Sequence, residues 1–406
     1  VKQKQGRTGR SQSTIFATPL NLRSPKVNMA SYMKINPQLL DKGGLRLTKA
    51  QKEEIWSRFP EPIEGHCADA IFEGGGVRGI ALLGALRCCE DLGIRWKKLA
   101  GTSAGSLTAA FLAANFAIDE LEEILSTINY DRILSQKTSP FIFNGDPSND
   151  LQAPLWMILS LLLTQQLGQY DSNPFRHWIA KTIKPTGIQT FADVKRLDPQ
   201  RELKVVVSNI THCEMLVLPD DLNPNSQGLN SEQQDRRQAI LQQHHLSDYQ
   251  DFSIAEAVRL SSSIPLFFKP EKLGNAYILD GGLLSNFPLW IYDRPSSDPL
   301  NPPQWPTFGF RLIDQNLNPP EINNALDLFT ASLRAMANAR DRYHLRDGDQ
   351  GRVINIDVSD AQVTTTEFSL SSAKKAKLYR LGYKHTKDFF LHHWNWKEHL
   401  IARGFC

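Results

Sequence analysis

Apolar and polar positions fall into register abruptly at residue 68. Residues 68–74 (ADAIFEG) form a short apolar run closed by glycine, the pattern of a buried strand. From about Val77 to Leu92 apolar residues recur at helical spacing. The alternation then continues with a strand ending in KLAGTSAG, a small-residue helix (SLTAAFLAANFA) and an amphipathic helix (IDELEEILSTI). Strands follow at Leu203–Asn209 and Glu214–Leu218, then a helix in SIAEAVRLSSS, a strand in AYILDGG and another near Phe308–Ile313. A helix over about 322–344, a strand in RVINIDV and a last helix over about 371–393 complete the pattern. Strands alternating with helices predict the α/β class, with a central, mostly parallel sheet covered on both faces in three α/β/α layers.

The flanks read differently. Residues 1–46 lack periodicity and read as a basic, disordered tail; 47–64 (with LTKAQKEEIWSRF) read as a short helical lead-in. Thr48 and Gln51 have the spacing of a capping box at its start. The globular unit is expected over 65–395, with a polar surface insertion near 219–250 and a C-terminal tail at 396–406. The run LWMILSLLL (155–163) reads either as a lipid-facing lid or as a core helix.

Charge sharpens this division. The 406-residue chain carries a formal +3, yet residues 1–28 hold Lys2, Lys4, Arg7, Arg10, Arg23 and Lys26 and no acid. The remainder is therefore slightly acidic, which weighs against a nucleic-acid footprint. The first residue is Val, consistent with a processed chain, a fragment or an unusual start, with Met29 or Met33 as alternative starts. The basic opening has some transit-peptide character. Cys67, Cys88, Cys89, Cys213 and Cys406 are odd in number and lack a C-x-x-C pair, which fits neither a disulfide framework nor a zinc site. No run reaches the roughly 18 apolar residues of a membrane span. The expectation is a soluble, cytoplasmic protein with reduced thiols.

Two glycine loops carry the chemistry. Gly74-x-Gly76-x-x-Gly79 matches, as a string, the glycine fingerprint of dinucleotide folds. That fold needs an acid at the tip of the second strand; Glu90 and Asp91 instead fall at the end of the intervening helix. At the second strand's tip stands Gly101-Thr102-Ser103-Ala104-Gly105, a G-x-S-x-G between strand and helix. Such an elbow exposes a serine hydroxyl at a helix N-terminus, and Gly101 and Gly105 let strand and helix approach closely. Gly74, Gly75 and Gly76 then suit an oxyanion hole, their backbone N–H groups facing a tetrahedral intermediate. A base is also required. His344, His385, His392, His393 and His399 all fall in predicted helix or in the tail, none at a strand tip. Asp280-Gly281-Gly282 does lie at a strand tip, where its carboxylate can turn into a cleft.

Taken together, GGGVRG (74–79), GTSAG (101–105) and DGG (280–282) resemble the three ordered signatures of the patatin-like phospholipase family. GQYDSNPF (168–175), SSSIPLFF (261–268) and SNFP (285–288) resemble further family segments, so the likeness spans about 65–395. The resemblance implies a patatin-like fold and a Ser–Asp dyad. Ser103 would be the nucleophile, and Asp280, hydrogen-bonded to it, the base. Gly74, Gly75 and Gly76, with Arg78, would form the oxyanion hole, with Gly79, Gly101, Gly105, Gly281 and Gly282 shaping the loops. It further implies phospholipid or other acyl-lipid substrates, transient peripheral membrane contact, and no metal or other cofactor. Phe267 and Phe268 either line the cleft or serve as packing. The competing expectations are a catalytically silent regulatory protein of the same fold and a dinucleotide-dependent oxidoreductase.

Overall fold

A computed structural model describes residues 37–41, 44–60, 66–128, 167–293, 302–315, 347–363 and 370–405, with residues 335, 341 and 367. The apolar run at 155–163 and all but two residues of the helix expected over 322–344 lie outside the described residues.

The strands are β1 (Cys67–Phe72), β2 (Arg95–Thr102), β3 (Gly168–Tyr170), β4 (Glu202–Asn209), β5 (Glu214–Leu218), β6 (Leu266–Phe268), β7 (Glu271–Leu273), β8 (Ala276–Asp280), β9 (Thr307–Ile313) and β10 (Val353–Asp357). The α-helices are α1 (Lys49–Trp56), α2 (Ile80–Asp91), α3 (Ala104–Ala113), α4 (Ile118–Ser126), α5 (Asn173–Ile183), α6 (Phe191–Leu197), α7 (Ser231–Gln243), α8 (Ile254–Ser261), α9 (Ser372–His392) and α10 (Trp396–Ala402). The capping box at Thr48 and Gln51 is present at the start of α1.

The main sheet has eight strands in the order β10-β9-β1-β2-β4-β8-β7, with β5 also paired to β4. From β10 to β4 every pairing is parallel; β5, β7 and β8 join antiparallel. Side chains alternate between its faces, as the strand period of two requires. Ala70, Phe72, Leu99, Val205 and Val207 enter the larger core with α2, α3 and α9. Ile71, Ala100 and Val206 face the other way, against Phe287, Leu289 and Ile291.

The register around β4 positions the site. On one edge, Val205–Asn209 pair with β5. On the other, residues up to Val206 pair with β2, and Val207–Asn209 pair with β8. A strand has only two edges, so β2 and β8 lie along the same one, approaching head to head. The end of β2 (Thr102, opposite Val206) therefore meets the end of β8 (Asp280, opposite Val207).

Regular structure extends into the polar insertion and the C-terminal tail. The polar segment near 219–250 contains α7, started by a capping box at Asn230 and Gln233, its surface-facing polar residues hiding the helix from a hydrophobic-period reading. Residues 396–402, placed with the tail, form α10, with His399 and Phe405 buried.

Candidate active site

Ser103 caps the N-terminus of α3 with φ 52° and ψ −126°, a conformation a non-glycine residue adopts only when its surroundings impose it. Here close glycine contacts impose it. A Cβ on Gly101 would lie 2.4 Å from the Gly105 carbonyl carbon, and one on Gly105 would lie 2.3 Å from Phe72 O. The Ser103 N–H donates to Ser261 Oγ (2.9 Å), whose hydroxyl donates in turn to Val206 O (2.7 Å). Ser261 thus ties the elbow to β4.

Asp280 is buried at the end of β8, beside the Ser103 side chain, with Oδ1 accepting from Gly282 N–H at 2.7 Å. Burial pushes its pKa up to about 6, against the opposing pull of the Ser103 side chain and the Gly282 N–H. Gly281 sits under Val206, where a Cβ would approach the carbonyl oxygen to 2.2 Å. Among the described residues no histidine is hydrogen-bonded to Ser103 or Asp280; His385 and His392 lie in α9 and His399 in α10.

The glycine loop leaves β1 beside this pair: a Cβ on Gly74 would lie 3.2 Å from Ser103 Cβ. Gly76 has φ 55°, the left-handed region that favours glycine, and opens the turn that leads into α2. Gly74 does not have a free donor, since its N–H bonds to Asn286 O at 3.1 Å. The N–H groups of Gly75 and Gly76 have no partner among the described residues. Arg78, expected beside the oxyanion, pairs with Asp314 beyond the end of β9 (3.9 Å).

Four polar residues that the motif reading did not single out complete the site: Ser261, Glu73, Asn286 and Asp341. Asn286 Nδ2 donates to Gly74 O (3.1 Å) and Glu73 Oε1 (3.3 Å). Asp341 accepts from Ser285 Oγ and from the N–H groups of Asn286 and Phe287, each at 2.8 Å. Burial lifts Glu73 to about 7, opposed by Arg311 and the Leu312 N–H. Ser261 and Asn286 lie inside the segments SSSIPLFF and SNFP, so their neighbourhood was visible in sequence; Asp341 had no local signal.

Phe267 and Phe268 are packing residues. They are buried with Tyr170 where β6 pairs with β3, which joins the GQY and SSSIPLFF segments. A cavity of about 410 Å³ lined by Asp69, Lys98, Glu202, Tyr292, Trp305 and Thr307 opens at the opposite edge of the sheet, where β1, β2, β4 and β9 begin.

Residues 70–292 match the family model described as patatin-like phospholipase, over the span that contains the glycine loop at 74–79, the elbow and Asp280. The chain belongs to the patatin-like phospholipase family. The Bacillus subtilis protein YqhO, itself uncharacterized, is 34% identical over 334 residues, covering 81% of this chain and 99% of that one. A probable lipid hydrolase of Invertebrate iridescent virus 6 is 24% identical, over 54% of this chain and 61% of the viral protein. Among solved structures, VipD from Legionella pneumophila aligns with a TM-score of 0.45 and 18% identity, over 80% of this chain and 67% of that chain. Membership places the chain among the patatin-like lipid hydrolases. Among the described residues no helix is long and apolar enough to cross a membrane.

Proposed function

We propose that this protein hydrolyses carboxylic esters of phospholipids or related acyl lipids, with Ser103 as nucleophile and Asp280 as its base. The observation that carries the reading is the register on β4, which sets the elbow after Thr102 against Asp280, a buried carboxylate whose basicity is raised and which the Ser103 side chain influences. Ser103 Oγ attacks the acyl carbonyl while Asp280 takes the hydroxyl proton. The tetrahedral oxyanion is held by the Gly75 and Gly76 N–H groups, with Gly74 giving room beside Ser103 and Arg78 remaining with Asp314. Collapse breaks the ester bond, and the leaving alkoxide takes the proton from Asp280. Water then attacks the acyl-serine, Asp280 accepting its proton and returning it to Ser103 as the fatty acid leaves. The substrate is reached by transient contact with a membrane surface.

Ser103→Ala and Asp280→Asn should each lower turnover by more than about 10³-fold, the scale of losing a nucleophile or its base. His385→Ala should stay near wild type. Mass spectrometry of products released from a mixed lipid extract, wild type against Ser103→Ala, identifies the ester cleaved. Equal product release by both proteins would overturn the assignment. A fluorophosphonate probe should label wild type and not Ser103→Ala.

A further inference from the structure

Asn286 grips both backbone polar groups of Gly74: its carbonyl accepts the Gly74 N–H and its Nδ2 donates to the Gly74 carbonyl, each at 3.1 Å. We propose that Asn286 is a positioning residue that aims the Gly75 N–H at the oxyanion, with Asp341 and Glu73 holding it in place. The proposal rests on reading Gly75 as an oxyanion donor.

The argument is stereochemical. The Gly74 carbonyl and the Gly75 N–H belong to one planar trans peptide, so they point in opposite directions. Holding that carbonyl on Asn286 turns the Gly75 N–H to the other side. The asparagine amide lies close against two glycine backbones. Its Oδ1 lies 2.3 Å from where a Cβ on Gly74 would be and 2.8 Å from one on Gly282, which wedges it between the glycine loop and the aspartate turn. Its backbone is fixed through Asp341, a buried carboxylate accepting three hydrogen bonds from residues 285–287. Its amide is fixed through Glu73, whose other oxygen accepts the Leu312 N–H at 2.6 Å. One side chain thus couples the loop proposed to hold the oxyanion to the turn carrying the base, through a donor of just this reach.

Asn286→Asp tests this, because it keeps the shape and loses the donor. With a soluble short-chain ester, kcat should fall by about 10²-fold, as when one oxyanion donor is removed, while KM changes less than about threefold. The Glu73 carboxyl beside it and partial burial both raise the introduced carboxyl above its free value near 4, so lowering the pH from about 8 to about 5 protonates a growing share of it, which can then donate to the Gly74 carbonyl. The activity of the variant relative to wild type should therefore rise in acid. A kcat within about threefold of wild type, or a loss that follows the melting temperature with no recovery in acid, would overturn the proposal. If Asn286→Asp does not fold, Asp341→Asn takes its place: kcat should fall about tenfold at constant KM, and wild-type kcat would overturn the proposal equally. Ser103→Ala is assayed in parallel. Its retained activity would sink the nucleophile assignment, whereas inactive Ser103→Ala beside fully active Asn286→Asp would sink only the role of Asn286.

Discussion

At the scale of single residues, what suits Asp280 to the proposed role of base is its burial. An ordinary aspartate is too weak a base for a serine hydroxyl, and burial is what lifts this one to about 6. Turnover that depends on the ionised form should rise as pH passes about 6 and level off above it, checked by a kcat/KM profile. The same shift costs stability. The folded state holds the Asp280 proton more tightly than the unfolded chain, where the carboxyl titrates near 4. Its contribution to stability is thus full below about 4 and lost as pH climbs through 6, a cost on the order of 2–3 kcal/mol. Asp280→Asn should therefore melt higher than wild type at pH 8, by more than it does at pH 5, while turnover is lost. Thermal melts at both pH values decide it, and a variant less stable at pH 8 would contradict the account.

At the scale of elements, β4 and the α2–α9 crossing matter most. β4 outlasts β2 by three residues, Val207–Asn209, and β8 uses that exposed edge to arrive from the opposite direction. Ser103 and Asp280 meet because of that overhang, not because their strands run together. Strand existence was legible from apolar runs, and the Glu214–Leu218 bounds agree with the sequence expectation. Strand direction was not legible, since the pattern of Ala276–Asp280 is the same read either way. Against the sheet, α2 and α9 touch backbone to backbone: a Cβ on Gly84 would lie 1.9 Å from Tyr379 O, and one on Gly382 would lie 1.8 Å from Ala81 O. Gly382→Ala must push the helices apart and should cost about 1–3 kcal/mol, the usual penalty of overpacking, measurable by denaturant unfolding. An unchanged midpoint would show that the crossing is not close in solution.

At the scale of the whole molecule, the C-terminal segment closes the structure. Arg352 is fully buried and bonds Asp293 through both terminal nitrogens, each at 2.7 Å, and Arg403 reaches the same carboxylate at 2.8 Å. The chain just after the Asp280 turn is thereby tied to the end of α10. His399 of α10 lies in this region against Trp394 and Trp396, and neither ring nitrogen has a hydrogen-bond partner among the described residues. Burial, aided by Arg403 and Arg352, lowers its pKa to about 3. The unfolded chain binds that proton near 6.5, so stability falls as pH drops below about 6.5 and continues to fall toward 3. His399→Phe should remove this part of the acid sensitivity: its melting temperature should exceed wild type at pH 4.5 by more than at pH 8. A constant difference across that range would refute the assignment.

The sequence by itself determined the class of fold, the elbow at Ser103, the glycine loop and the aspartate turn, because each is a local demand. A strained turn needs glycines on either side, and a buried strand needs an unbroken apolar run. Tertiary structure decided how those loops combine. It turned β8 against β4 to bring Asp280 to Ser103, engaged the Gly74 N–H with Asn286 and drew Arg78 to Asp314. It also brought Asp341 under the 285–287 segment from a distant part of the chain. Hydrogen bonds across such separations leave no periodicity and no spacing, since the chain between the partners is free to vary. Only folding makes them neighbours.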